Sequence, residues 1–430
     1  MLREPPVPQG LRYLRRAARV FSTVAVALPA AAAEGLAVAV ASGGDRGRRR
    51  FHRRMTGLLM RLGPAFVKVG QVLGTRRDML SPALCDELSR LQDDVAPLDE
   101  ARSERLLREV YGEEMPELFR RIDFRPVAGG SIACVYRADS ESRGAVALKV
   151  LRPGVPEVME RDLWLMRRGA ALAARLPLLA GMPVVQVVGQ VADAVLGQLD
   201  FPREAEALQR LRGNLSAVRR VSAPRVYEEL CRPHCVAMEF VPGLDTETPR
   251  RCSPVLRRGF AEAGLTAVYR MLFVDGFVHC DLHRGNLYFT EAGQVVLLDA
   301  GFSVQLSDRL RRLFAEFFMN MAVGRGTRCA EIVIESSTGL GPDADLEGFT
   351  VLMADLVHRS HGLSAEEFSL VAFATEMFDL QRRHGVHAAA ELVFPLLSLL
   401  VVEGTIRELH PGIDFQETAK PMLNKGLFSA

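Results

Sequence analysis

Residues 122–154 read IDFRPVAGGSIACVYRADSESRGAVALKVLRPG, and this stretch limits most sharply what the chain can become. Short apolar runs alternate and are split by Gly, Pro, Asp and Ser, the pattern of three strands joined by turns. On either side the apolar spacing is helical. RRMTGLLMRL stops at Gly63, and Pro64 then suits the first turn of a new helix. Ser81 and Pro82 repeat the device as N-cap and first turn. Helical patterns return over 155–212. VAMEFVPG reads as a strand and turn, 253–278 as a long helix, VVLLDAGF as a buried strand, and everything after about 305 as helix. A small sheet set among helices is an α+β arrangement. The expected divisions are a basic, alanine-rich segment over 1–50, a helical extension over 51–121, a sheet-bearing lobe with a helical insert over 122–241, and a helical lobe over 242–430.

The 430 residues are 48% apolar with a formal charge of +2, enough core for two lobes and too neutral for a nucleic-acid protein as a first expectation. Seven scattered cysteines without a CxxC pair point to a reduced, cytoplasmic compartment. Residues 22–41 carry no Lys or Arg between two basic stretches. Glu34, Pro29 and Gly35 inside the run argue for a helix lying on the fold or on a membrane surface, not a span. LVFPLLSLLVV, 392–402, is too short to span and reads as a core helix.

The polar chemistry concentrates in HCDLHRGN, 279–286. Asp281 and Asn286 are followed by Asp299 in LLDAG. A phosphotransferase needs an aspartate to take the acceptor hydroxyl proton, plus Asn and Asp oxygens to hold Mg²⁺. Two other readings of the octet stay open: a zinc site on His279, Cys280 and His283, and an ordinary polar loop. VALK, 146–149, offers Lys149 on a strand after the turn Gly129–Gly130–Ser131, where backbone N–H groups can approach phosphate oxygens. Glu204 and Glu206 are the carboxylates within a helix that could pair with Lys149. Only four of 54 basic residues are lysine: Lys68, Lys149, Lys420 and Lys425. Lys68 and Gln71, three apart on an apolar helix, share a face.

Taken in order, LGPAFVKVGQ, LQDDVAP, PVAGGSIACVYRA, VALKVLRPGV, LDFPREA, MEFVPG, HCDLHRGN and LLDAGF resemble the UbiB/AarF family of atypical kinases, linked to coenzyme Q biosynthesis. The resemblance implies a protein-kinase-like bilobal fold with an N-terminal helical extension and a helix-rich C-lobe. It implies ATP and Mg²⁺ as cofactors, with Asp281 and Lys149 catalytic and Asn286 and Asp299 holding metal. Val127, Ala128, Gly129, Gly130, Ser131, Val135, Lys149, Glu204, Met238, Glu239 and Val241 would bind nucleotide. Lys68 and Gln71 would be regulatory residues of an extension lying over the active site. The implied activity is that of an atypical kinase or ATPase at the inner face of a membrane, with quinone-pathway or isoprenoid lipids or enzymes as partners. A nucleotide-binding scaffold without turnover and a small-molecule phosphotransferase of aminoglycoside-kinase type remain as alternatives. The chain departs from the family at Gly129 and Gly130 in an alanine-rich loop, at Gln198 in place of a glutamate, and at Ala300 in place of the phenylalanine of DFG.

Overall fold

The computed structural model describes residues 9–75, 80–88, 90–91, 98–175, 184–283 and 285–428. The LQDDVAP motif falls mostly outside them. In chain order the first helices are α1 (Gln9–Ser42), α2 (Gly44–Leu62), α3 (Pro64–Thr75), α4 (Pro82–Leu88), α5 (Glu100–Tyr111) and α6 (Met115–Leu118). Strands β1 (Phe119–Ile122), β2 (Ala128–Gly129), β3 (Ala133–Ser140) and β4 (Gly144–Leu151) follow. Next come α7 (Val155–Ala173), α8 (Val184–Gly197), α9 (Phe201–Leu215), β5 (Val221–Ser222) and β6 (Cys235–Glu239). The chain divides into two compact units, one of residues 1–97, 129–133 and 151–196, the other of residues 98–128, 134–150 and 197–430.

In the first unit α1 and α2 form a hairpin turning at Gly43 (φ 98°). Their contact is close: a methyl group on Gly47 would lie 2.4 Å from the Gly35 carbonyl oxygen, a backbone atom that cannot move aside. Glu34 is answered by Arg50 and Arg54 of α2, each at 2.5 Å. With its charge paired, α1 runs unbroken through Pro29, and Tyr13–Ser42 is long and apolar enough to cross a membrane. Glu34 and Pro29 therefore interrupt this helix less than the sequence pattern implies. Leu58, Leu62 and Phe66 form the core with Val20, Val24 and Met166. Arg16 donates at 2.8 Å to Asp162, whose side chain is fully buried, and so ties α1 to α7.

The second unit holds the sheet, in the order β1-β3-β4-β6. Asp99 caps α5 by accepting from the Arg102 N–H at 2.8 Å, and Gly112 (φ 59°) ends the helix. Leu106, Leu107 and Tyr111, at helical spacing, pack on Cys134, Tyr136, Val146, Leu148, Val150, Cys235 and Ala237. Each buried leucine contributes about 1.5–3 kcal/mol. Because strand side chains alternate, one sheet face is consumed by α5 and the opposite face carries Val135, Ala147, Lys149, Val236 and Met238. Register confirms the last four: Ala147 pairs Met238, and Lys149 pairs Val236.

Beyond the sheet, α10 (Thr248–Arg251) and α11 (Pro254–Tyr269) lead into a π-helical turn (Arg270–Asp275). Strands β7 (Phe277–His279), β8 (Leu287–Phe289), β9 (Val295–Leu297) and β10 (Ser303–Gln305) make two small ladders, β10-β7 and β5-β9-β8. Helices α12 (Asp308–Ala322) and α13 (Gly326–Glu335) follow. The stretch after 305 is not wholly helical: β11 (Ser337–Leu340) pairs with β12 (Val386–Ala388), on either side of α14 (Leu346–Ser360) and α15 (Leu370–Arg383). Helix α16 (Ala390–Leu409) contains the apolar run 392–402 as a mostly buried helix, and α17 (Phe415–Phe428) closes the described chain.

Candidate active site

Lys149 stands on β4 with its ammonium 2.6 Å from Glu204 Oε1 and 2.8 Å from Asp299 Oδ1. Glu204 is brought there by α9. Asp200 caps that helix by accepting from the Arg203 N–H at 3.1 Å, and Pro202 occupies its first turn. Phe201, Glu204, Ala205, Leu208 and Leu211 then form the buried face, while Glu206 points to solvent. Phe201 adds a contact that motif reading missed: its ring centroid lies 5.4 Å from the ammonium. The only local signal for it is an aromatic residue three positions before the glutamate.

Asp299 is held in left-handed backbone (φ 55°), unusual for a residue other than glycine. Its side chain is 45% exposed, so it opens outward where Glu204 does not. Burial pushes Glu204 up to about 7, with Lys149 opposing and the Asp299 charge adding to the rise. The low-dielectric surroundings would raise Asp299 too, but Lys149 outweighs them and holds it at about 2. The same two carboxylates overcome burial and raise Lys149 above the usual lysine range. Lys149 is therefore a fixed cation. Glu204 is the group of the three that titrates near neutrality. Its second oxygen, Oε2, is buried and has no hydrogen-bond partner.

Asp281, Asn286 and Asp299 are joined through main chain. Strands β8 and β9 pair antiparallel, with Leu287 opposite Leu297, and the Leu298 N–H donates to the Asn286 carbonyl at 2.9 Å. Asn286 and Asp299 therefore flank one end of the hairpin. Asn286 Nδ2 donates to the Asp281 carbonyl oxygen at 2.8 Å, which leaves Oδ1 as that side chain's acceptor. His279 is fully buried. Its Nδ1 accepts from the Asp281 N–H at 3.1 Å, and its Nε2–H donates to the Leu298 carbonyl at 2.9 Å. That network assigns the tautomer. Burial lowers the histidine's pKa and keeps the ring neutral, against smaller opposing effects from the Leu298 carbonyl and the two aspartates. Ser398 of α16 donates to the His279 carbonyl at 2.9 Å, a link across more than a hundred residues that no local pattern signals.

The zinc reading of this loop does not fit. Both His279 nitrogens are spent on backbone, Cys280 Sγ lies against the Val278 carbonyl, and no group of three metal-binding side chains occurs among the described residues.

The remaining expected residues fall as follows. Val135 and Met238 share the sheet face of Lys149. Glu239 ends β6, its carboxylate accepting from the Arg225 N–H at 3.2 Å, and Val241 lies half-buried two residues beyond. Val127 is exposed and its N–H donates to the Val135 carbonyl at 2.8 Å; Ala128 follows it on β2. In the other unit, the Gly130 N–H donates to the Ala133 carbonyl at 2.9 Å, and Arg152 Nε to the Gly130 carbonyl at 2.7 Å. Beyond its two chain neighbours, nothing lies within 4 Å of where a Gly130 side chain would start. Gly129 is exposed and Ser131 buried. Lys68 and Gln71 also belong to that unit, on α3. Gln71 donates to the Leu91 carbonyl at 3.0 Å, and Gly70 lets the helix approach Leu59 and Leu91.

A twisted sheet backed by one helix, a strand lysine paired to a helix glutamate, and an Asp–Asn loop beside an Asp-ended strand define a protein-kinase-like α+β fold. Residues 90–333 match the ABC1 atypical kinase-like domain. The chain is 31% identical over 376 residues to "Probable protein kinase UbiB" of Vibrio cholerae, covering 85% of this chain and 69% of that one. It is 31% identical over 388 residues to the Pseudomonas putida protein of that name, with the same coverage. Among solved structures, Rv3197 of Mycobacterium tuberculosis, in complex with erythromycin, superimposes with a TM-score of 0.55 at 20% identity, over 74% of this chain and 84% of that one. That likeness concerns the fold. The chain belongs to the UbiB/AarF family of atypical kinases.

Proposed function

We propose that this chain binds Mg-ATP and turns it over as an atypical kinase or ATPase, at a membrane surface, in support of quinone or isoprenoid lipid metabolism. The observation that carries the reading is Lys149 held between Glu204 and Asp299. Mg²⁺ fits the donors present: a half-open Asp299 carboxylate, Asn286 with Oδ1 as its acceptor, and a buried Glu204 oxygen without a partner. Asp299 and Asn286 would hold the ion, which when bound neutralises phosphate charge.

Within this reading each residue has a separate task. Lys149 supplies a permanent positive charge to the phosphates, and Glu204 and Phe201 fix its position. Gly129 and Gly130 enter, like the extension, through family resemblance, as a nucleotide loop without side chains in the way. Met238 and Val135 wall the adenine, and main chain from Glu239 to Val241 offers it hydrogen bonds. Asp281 takes the proton of the attacking hydroxyl or water, and His279 sets where Asp281 stands. Lys68 and Gln71 enter through family resemblance, as a restraint on turnover. The membrane part of the reading draws support from α1, where Leu14, Phe21, Leu36 and Val40 are exposed.

The test is ATP turnover by the purified full chain with and without Mg²⁺, anionic liposomes and a phenolic quinone precursor. Mg²⁺-dependent turnover that rises with liposomes is expected. Nucleotide binding without turnover under every condition would leave the scaffold reading.

A further inference from the structure

The second unit holds a cavity of about 310 Å³, partly open to solvent, between the segment 246–250, α11, β8 and the C-terminal turns of α16. That is the low end of the roughly 300–1,000 Å³ that hold small ligands. Its floor is apolar. Leu287 and Phe289, which alternate with Tyr288 along β8, are both buried, and buried Pro249 completes the surface. Its rim is charged, and most of that charge is already committed. Glu247 pairs with Arg250 at 2.7 Å, and Glu408 is exposed with a partner of its own. Arg257 of α11 is the exception. Its Nε is buried without a hydrogen-bond partner, and among the described residues neither a hydrogen bond nor an ion pair engages its terminal nitrogens. A charge that is partly desolvated and unpaired is costly. The hydroxyls of Thr246 and Thr405, also in the lining, are likewise uncommitted among the described residues.

We propose that this cavity is a binding site for a small carboxylate on a compact apolar body. With Nε closed off, the guanidinium presents its two terminal nitrogens, an end-on fork whose parallel N–H bonds match the two oxygens of a planar carboxylate. The two threonines offer hydroxyl donors from the same lining, and the apolar body covers Leu287, Phe289 and Pro249. A cationic ligand is repelled by Arg257, and a neutral one leaves its charge unpaired. The volume exceeds the ~150 Å³ that takes up benzene in an engineered cavity, so one ring with a short tail fits. None of these residues belongs to the nucleotide reading, so the two proposals stand or fall separately.

The test titrates four probes of similar size into the full chain by ligand-observed NMR at constant ionic strength: 3-phenylpropanoate, 3-phenylpropan-1-ol, 3-phenylpropylamine and phenyl phosphate. Thr405→Phe, which fills the cavity, defines the binding that belongs here and separates it from any anion held at Lys149; Leu409→Trp does the same should that variant not fold. Within that binding, the carboxylate is expected to be held about tenfold more tightly than the alcohol. This is the lower end of what hydrogen bonds to a charged group are worth, because Arg257 is half-exposed. The carboxylate should also exceed the amine and the phosphate. Arg257→Gln should remove the preference over the alcohol and leave the alcohol's own binding unchanged, and Arg257→Met removes the same charge should Arg257→Gln not fold. Equal binding of carboxylate and alcohol by the wild-type protein, tighter binding of the amine or the phosphate, no binding sensitive to the filled cavity, or a carboxylate preference that survives Arg257→Gln would each overturn the proposal.

Discussion

His279 Nε2 donates to the Leu298 carbonyl oxygen at 2.9 Å, so the residue before Asp299 is pinned to the loop that carries Asp281. The other ring nitrogen accepts from the Asp281 N–H. One buried neutral imidazole thus fixes the spacing between the proposed base and the proposed metal ligand. His279→Leu leaves two main-chain groups unpaired, and each costs about 1–3 kcal/mol. We expect a stability loss of about 2–6 kcal/mol by chemical denaturation, with His279→Asn losing less. Equal stability of His279→Leu and wild type would show that the ring does not hold the loop.

Asp281→Asn should keep nucleotide binding and lose turnover, because the side chain's proposed task is to orient and deprotonate the acceptor. Loss of a positioned base commonly costs about 10²- to 10⁴-fold in rate. Wild-type turnover in the variant would assign the proton to another group.

Glu204 provides a pH signature. Its carboxyl titrates near 4.5 when unfolded and at about 7 when folded. Between those values the folded chain holds the extra proton, so this group's contribution to stability falls as pH rises from about 4.5 to about 7. The wild-type melting temperature should therefore fall across that window relative to Glu204→Gln, which cannot titrate. Parallel curves for the two proteins would contradict a raised Glu204 pKa.

Much of the candidate site was legible because kinase-like chemistry needs particular side chains in a particular chain order. Lys149 sits on an apolar strand, Asp281 and Asn286 share one loop, and Asp299 ends a buried strand. What stayed hidden depends on distant parts of the chain. Ser398 meets His279 through packing of α16, and Phe201 meets Lys149 only where α9 packs beside β4. In the fold, β11 and β12 are four and three residues long, too short for an alternation to register. Helix α5, grouped with the extension by its sequence pattern, packs against the sheet because its apolar face meets Tyr136 and Leu148. Helix α1 continues through an exposed Pro29, and its Glu34 is paired only by arginines from the next helix.

Lys68 is one of four lysines in an arginine-rich chain, set among buried Phe66, Val67 and Val69. If the extension restrains turnover through it, Lys68→Ala and Lys68→Arg should both change ATP affinity or basal rate, since arginine keeps the charge but not the shape. Both variants matching wild type in affinity, rate and stability would remove Lys68 from regulation.

The central claim is that Asp299 brings Mg²⁺ to a nucleotide held by Lys149. The direct measurement is the shift in melting temperature caused by ATP, with and without Mg²⁺, in wild type and in Asp299→Asn. Wild type should show a larger shift when Mg²⁺ is present, and Asp299→Asn should lose that increment while remaining folded. An undiminished Mg²⁺-dependent shift in Asp299→Asn would contradict the account.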